Sequence, residues 1–380
     1  MAHIYDYAII GSGLTGLSIA AALSRETSNI ALLESSEVAG GNNRMIKFPT
    51  GPINNGLRFV PETALSAQAM EFLETLMNEK VVAGTLEEAP VCYESGHLKT
   101  FLGFGDNPPP FYEELAYFSG QKRFELVSEP YHWAQNLFSQ FKGEFMPRSY
   151  VTKFHMENDR VTHVTINGAK TLHAQNFIFC GTVKDLALLL PEEAISIRNR
   201  TKLSKSTYWT ALCLDICHTK QVTDSAAMHV LNGTTQDEIG PCVGRFLPST
   251  EVEGQTLQAS QWMTFIEQEV TEDSEIVGMT LKKIKRQIKR AYPDALDNLK
   301  LERIFVAPII AGDGEIKLNA NFTLPSLENL WISSATVNKQ KNLVGSLLQA
   351  QLVLASLGFN ITNADIVSET SEEETAEAEL

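Results

Sequence analysis

A chain of 380 residues, 43% of them hydrophobic, is longer than one compact core requires, so two structural lobes are expected. The formal net charge of −15 argues against nucleic acid and against an acidic membrane surface, both of which would repel it. The five cysteines, Cys92, Cys180, Cys213, Cys217 and Cys242, are odd in number and scattered, as buried small hydrophobes in a reducing compartment would be. No basic segment followed by a long apolar run opens the chain, and no apolar stretch reaches the ~18 residues of a membrane span. A cytoplasmic location without an integral membrane segment is therefore expected.

The stretch Tyr5–Leu23, followed by Ile30–Glu34, reads as strand, tight turn, helix, strand. Ala8 to Ile10 suit a buried parallel strand, and Leu14, Leu17, Ile19, Ala20 and Leu23 give the helix an apolar face. Gly11, Gly13 and Gly16 stand between them in the G-x-G-x-x-G register of a dinucleotide site. The first glycine allows the tight turn, the second lets backbone approach a pyrophosphate, and the third lets helix and strand pack closely. The run Gly11-Ser12-Gly13-Leu14-Thr15-Gly16 then offers helix N–H groups and a partial positive charge to the phosphates. Glu34 closes the second strand 18 residues after Gly16, where an acid accepts hydrogen bonds from an adenosine ribose, with Ser35 beside it.

Next, Gly40-Gly41-Asn42-Asn43-Arg44 combines glycines that permit close backbone approach with an arginine able to reach a phosphate or ribose. Directly after a dinucleotide-binding acid, this segment resembles the Glu-…-Gly-Gly-Arg of flavoenzymes in the amine oxidase superfamily. That group includes amine oxidases, protoporphyrinogen oxidases and carotenoid desaturases; Gly41-Asn42 is also similar to the Gly-Gly-Asn of UDP-galactopyranose mutases. Two asparagines separate Gly41 from Arg44, which departs from the superfamily spacing. The resemblance implies FAD as cofactor, with Gly41, Asn42 and Arg44 against it. Phe48–Val60 resembles the short hairpin that passes beside the flavin ring, implying contacts from Gly56, Leu57 and Arg58. Arg58 is placed to face the ring or an anionic substrate, or else to form a surface ion pair.

Between Glu62 and Val82, Leu65, Ala69, Phe72, Leu73 and Leu76 recur at helical spacing. Gly103–Phe111, with three prolines, is a loop. Tyr150–Gly168 carries two strands with turn signals at Asn158-Asp159 and Asn167-Gly168, and Leu172–Gly181 carries another. This meander resembles the second nucleotide-binding segment of the superfamily, which implies cofactor contacts at Val151 and Gly181. Tyr208–Ile216, Met228–Leu231, Cys242–Leu247 and Gln258–Phe265 are strand candidates of a mostly antiparallel sheet. In the superfamily such a sheet forms the substrate lobe over the flavin. Tyr208, Trp209, Arg245, Phe246 and Trp262 are candidates for lining the pocket, although strand aromatics more often build core.

Cys213, Cys217 and His218 lack a second cluster, so no metal site is expected. Lys282–Arg290 is strongly basic, yet Leu281, Ile284, Ile288 and Ala291 recur at helical spacing, which makes the charges the solvated face of a helix. The histidines form no ligand pair, and none is named as catalytic. Arg303–Pro308 and Leu327–Val337 read as strands, and an apolar helix runs from about Asn342 to Leu357. The superfamily places a Gly-Asp pair near this point; here stands Ser333-Ser334, with Ser334 able to hydrogen-bond in its stead. The resemblance implies that Asn342, Leu343 and Val344, at the helix N-terminus, meet the flavin pyrimidine. The acidic tail Ser368–Leu380 has no core residues and reads as disordered.

The fold expected is α/β: a Rossmann-like FAD-binding domain (1–60, 145–184 and 301–364) with an inserted α+β substrate domain (61–144 and 185–300) containing a mostly antiparallel sheet, and a tail over 365–380. The resemblance implies an FAD-dependent oxidoreductase that oxidises a small-molecule substrate of amine, polyene or porphyrinogen type by hydride transfer to flavin N5. Two other readings stand beside it. One is a mutase-like, non-redox flavoenzyme gripping a nucleotide diphosphate with Arg58 and Arg245; the other is an FAD-fold protein without catalysis that acts by interaction.

Overall fold

A computed structural model describes residues 3–104, 115, 117–231, 242–307, 311–312, 314–338 and 340–361. The acidic tail, most of the proline loop and Pro308 lie outside them.

The first eight-stranded sheet is organised around β1 (Ile4–Ile10), which pairs in parallel with β2 (Ile30–Leu33) on one side. Alternate residues of these strands enter two different cores, Ile9 and Leu32 one, Ala8, Ile10, Ala31 and Leu33 the other. That is why both strands read as continuous apolar runs. Helix α1 (Leu14–Leu23) follows β1 and is buried throughout. After β2 comes a small hairpin of β3 (Met45–Phe48) and β4 (Gly51–Asn54), then α2 (Ala64–Met77). Thr63 caps α2 by accepting from Ser66 N at 3.1 Å, and Asn78 ends it in the left-handed region at φ 52°.

Strands β5 (Val82–Glu87), β6 (Val91–Glu94), β7 (His97–Thr100) and β8 (Lys122–Leu126) leave the first sheet; β6 and β7 join the second. The helix Pro130–Gln140 and β9 (Glu144–Met146) return to the first, β9 pairing with β2. The meander β10 (Val151–Glu157), β11 (Arg160–Ile166) and β12 (Lys170–Phe179) then brings β12 alongside β1 in parallel. Its turns lie where the sequence signals them: Asn158, Asp159, Asn167 and Gly168 all have positive φ, as a tight hairpin turn of that hand requires.

The second sheet has nine strands, in which β13 (Tyr208–His218) pairs antiparallel with β17 (Gln255–Glu267). Between them in the chain lie β14 (His229–Leu231), β15 (Cys242–Phe246) and β16 (Thr250–Val252). The basic helix Ser274–Ala291 packs Ile284 and Ile288 against Leu214, Phe246 and Trp262 of this sheet, leaving Lys282, Arg286 and Lys289 exposed. Strand β18 (Leu299–Val306) pairs with β13, as does the short β19 (Ala311–Gly312). Finally β20 (Thr323–Leu324) and β21 (Leu327–Ile332) complete the first sheet, and the terminal helix Leu343–Ser356 packs on α1 and α2.

The fold is thus the mixed α/β arrangement expected, with a Rossmann-like region assembled from separated pieces of chain. One expectation needs correction. The segment 61–144, assigned wholly to the substrate lobe, divides: α2 and the helix Pro130–Gln140 bury Phe72, Leu73, Leu76, Trp133 and Leu137 in the core around α1. Their apolar stripes cover the outer side of α1, which is why that helix is buried throughout, and burying each such side chain contributes roughly 1.5–3 kcal/mol there.

Candidate cofactor and active site

A cavity of about 750 Å³ opens between the two sheets. Its size is within the roughly 300–1,000 Å³ of small-molecule and cofactor sites.

At one end the wall is backbone. Gly13, Leu14 and Thr15, the start of α1, line the cavity, as do Gly41 and Asn42. The double-glycine loop is tied to the fingerprint by Gly40 N donating to Ser12 O at 2.8 Å. Gly41 has φ +52°, and a Cβ there would stand 3.0 Å from Gly13 Cα, so this approach requires glycine. The N-terminus of the terminal helix faces the same cavity through Asn342, Leu343 and Ser346. Thr15 Oγ1 donates to Ser346 O at 3.2 Å and holds the two helix starts together. Asn342 caps its helix by accepting from Gly345 N at 3.2 Å. Neither helix carries an acidic side chain in its first turn, so both dipoles are left to an anion.

Glu34 stands behind this wall. Its carboxylate accepts from Ser12 N at 2.9 Å, Ser12 Oγ at 2.6 Å and Ser36 N at 2.8 Å. Burial disfavours its charge, but these hydrogen bonds outweigh burial and hold its pKa below the ordinary value.

At the other end the wall is side chain. Ala211 and Cys213 of β13, Met263 and Phe265 of β17, and Leu57 and Phe59 make an apolar chamber. Cys213 is a neutral thiol, its pKa pushed up to about 12 by burial. Arg58 reaches into the chamber: Nε donates to Asn43 Oδ1 at 3.0 Å, Nη1 to Leu57 O at 2.8 Å and Nη2 to Asn42 O. Arg58 and Lys341 are cations of the lining, and Asp185 is a carboxylate there whose Oδ2 accepts from Thr182 Oγ1 at 2.7 Å. Among the described lining residues positive charge therefore exceeds negative, although the whole chain is acidic.

Of the residues expected at the cofactor, Gly13, Leu14, Thr15, Gly41, Asn42, Leu57, Arg58, Gly181, Ser334, Asn342 and Leu343 line the cavity. Gly11, Ser12, Gly16, Glu34 and Ser35 form its supporting layer rather than its surface; a Cβ on Gly16 would lie 1.9 Å from Gly11 O. Arg44 is exposed and away from the cavity: the short helical turn Gly41–Asn43 ends there and the chain leaves in extended form toward β3. Gly56 backs onto the Phe305 ring, Val151 packs on the meander side of the first sheet, and Val344 is buried among the helices.

The pocket candidates are corrected more thoroughly. Phe246 and Trp262 point to the opposite face of the second sheet, into the core under the basic helix. Tyr208 is buried in the first sheet's second core, donating to Leu203 O at 3.0 Å. Trp209 packs beside the chamber without lining it. Arg245 pairs with Gln261 on the chamber's face, but outside the cavity. Residues the sequence reading passed over are Asn55, Cys180, Cys213, Met263, Phe265 and Lys341. For the strand residues a signal existed, the alternation itself, but nothing in it told which face fronts the cavity.

Two other expectations concern absences. No described group of three or more His, Cys, Asp or Glu is arranged to hold a metal. His218 instead serves the core, with Nδ1 against Ala295 O and Nε2 against Ser260 Oγ, both at 2.7 Å. Among the described residues no helix is long and apolar enough to cross a membrane.

Residues 9–76 match the family model of an NAD(P)-binding Rossmann-like domain. No curated protein matches the chain in sequence. Solved structures do resemble it. An assigned protoporphyrinogen oxidase from Exiguobacterium sp. superposes with a TM-score of 0.64 at 11% identity, over 94% of this chain and 99% of that one. Cyclohexylamine oxidase from Brevibacterium oxydans gives 0.63 at 11% identity, over 93% and 98%. Putrescine oxidase, solved with putrescine bound, gives 0.61 at 10% identity, over 97% and 100%. At such identities the likeness is one of architecture: the chain has a Rossmann-like region within the overall fold that these oxidases share.

Proposed function

We propose that the protein binds FAD and is an oxidoreductase that removes a hydride from a small organic substrate. The observation that carries this is the single cavity joining two helix N-termini at one end to an apolar chamber at the other. The residues present fit the cofactor: a Cβ at Gly13 would meet nothing within 4 Å, so the space before α1 is open to a pyrophosphate. Gly13 to Thr15 and Gly41 to Asn42 would hold the phosphates, and Leu57, Arg58, Ser334, Asn342 and Leu343 the flavin end, while Glu34 braces the fingerprint from behind. In this reading the Rossmann-like pieces are the FAD domain, and the second sheet is the substrate domain.

FAD, when bound, supplies a two-electron acceptor for the hydride. The chain's own contribution is to bind and to exclude water. Ala211, Cys213, Met263 and Phe265 keep the reacting end dry, and the start of Leu343–Ser356 would favour negative charge on the pyrimidine side. Arg58 retains two N–H donors beyond its three hydrogen bonds and offers them to an anionic group. The mutase-like alternative loses support, since Arg245, one of its two arginines, is outside the cavity.

The test is the visible spectrum of the purified protein, before and after FAD addition, then during anaerobic incubation with amines, polyenes and porphyrinogens. Flavin bands that bleach with one class identify the substrate. A protein that stays colourless and takes up no FAD defeats the proposal.

A further inference from the structure

Beside Arg58, the cavity is lined by Asn55, a side chain only 5% exposed. Arg303 Nη2 donates to Asn55 Oδ1. An arginine has no acceptor, so this contact fixes which end of the amide is which: the oxygen faces Arg303 and the NH2 group faces away. That NH2 has no hydrogen-bond partner among the described residues. It is not sealed off from the cavity that Asn55 lines, so a ligand oxygen can take the place of solvent against it.

The orientation is built, not incidental. Arg303 Nη1 is paired with Asp215 Oδ2 at 2.7 Å, and Asp215 is fully buried. Gln261 Nε2 donates both to Asp215 Oδ1 and to Asn54 O, each at 3.0 Å. The Arg303 guanidinium lies 3.9 Å from the centre of the Phe305 ring, the ring on which Gly56 rests. Strands β17 and β18 thus send two side chains, Gln261 and Arg303, up from the sheet to grip the turn Asn54-Asn55, and Asp215 of β13 holds both of them. Burial raises the pKa of Asp215 despite its partners, so the ion pair is a poor source of stability. Positioning is what it provides.

We propose that Asn55 is a specificity-determining residue whose amide NH2, with the spare donors of Arg58, binds an oxyanion of the substrate, a carboxylate being the fullest match. Asp215, Gln261 and Arg303 are the positioning residues that aim it. Both groups that front this corner of the cavity are donors, and the chamber beyond is apolar, so an acid with an apolar body is accommodated better than an alkylammonium ion. This inference rests on the proposed function for its substrate but not for its geometry.

The test measures calorimetric binding of benzoate and of benzyl alcohol, its neutral counterpart, to the purified protein with and without FAD. Wild type is expected to prefer benzoate by about tenfold or more, the scale of one well-made charge-assisted hydrogen bond. Asn55→Asp keeps an acceptor for Arg303 but replaces the donor; it should lose that preference while binding FAD as wild type does. Arg303→Lys keeps the charge beside Asp215 but not the fork that spans to Asn55, and should weaken benzoate selectively. A purely structural role would weaken both ligands equally. Failure of wild type to bind benzoate overturns the inference, and so does Asn55→Asp binding benzoate unchanged or losing FAD instead. A protein that takes up no FAD defeats the proposed function and leaves the benzoate result standing.

Discussion

The two sheets wall one cavity by different means. On the eight-stranded side the surface is backbone at the start of α1 and in the loop at Gly41, formed by residues close together in sequence. On the nine-stranded side it is alternate side chains of β13 and β17, backed by buried polar groups, Asp215, His218, His229, Gln258 and Gln261. A backbone surface tolerates no change of conformation but little depends on side-chain identity; a side-chain surface depends on which face each residue takes. The two sides should therefore fail differently.

The largest effect expected is on stability, from neighbouring residues of β17. Trp262 is fully buried away from the cavity, and Trp262→Ala should cost about 4 kcal/mol in denaturant unfolding while leaving FAD and benzoate affinity unchanged. Met263→Ala, one residue on, should alter ligand affinity. Equal ligand effects from the two would break the assignment of faces.

Acid should strike the second sheet next. Burial pushes His218 and His229 down from the ordinary 6.5 to about 4, against the hydrogen bonds to Ala295 and Ala227 that favour their protonation. The unfolded chain then binds protons that the folded chain refuses, so stability is lost as pH falls from 6.5 toward about 4. Each histidine contributes up to about 3 kcal/mol of this loss. His229→Gln should remove close to half of it, and an unchanged pH profile would show that His229 is not held neutral.

On the first side, Gly41→Val would force a β-branched residue into positive φ against Gly13. Strain of about 2 kcal/mol translates to FAD binding weakened about 30-fold, read by flavin fluorescence, with benzoate binding to the FAD-free protein retained. The smallest effect is at Glu34. Glu34→Gln should lower stability by about 1 kcal/mol at neutral pH, because Gln accepts fewer of the Ser12, Ser35 and Ser36 hydrogen bonds. Glu34 has a depressed pKa, so its contribution is present above the ordinary 4.5 and is lost as pH falls through the folded value. The gap between wild type and variant should close there; a gap that persists in acid would show that the charge is not what Glu34 contributes.

The fingerprint at Gly11–Gly16, the turns at Asn158-Asp159 and Asn167-Gly168, the basic helix and the capped terminal helix were all legible in the sequence. Each depends on backbone conformation and on residues within a few positions of one another. Arg58 was legible as well, since it follows closely on Gly56 just after the hairpin. Arg44 was not placed correctly, because the helical turn Gly41–Asn43 that precedes it and sets its direction has no signal in a pair of asparagines.

The face of the second sheet was beyond the sequence for a further reason. A half-buried strand shows its orientation by alternating apolar and polar residues, but β13 is buried along nearly its whole length and β17 along most of it, with core on both faces. Nothing in either run separates the set Cys213, Met263 and Phe265 from the set Leu214, Ile216 and Trp262. Only the docking of the basic helix on one face, and of the segment after β4 that carries Asn55 and Arg58 on the other, breaks that symmetry. The sequence by itself determined that a Rossmann-like fold would form, because local backbone geometry specifies it; tertiary packing decided which side chains line the cavity, because long-range pairing alone sets the direction of a strand buried on both sides.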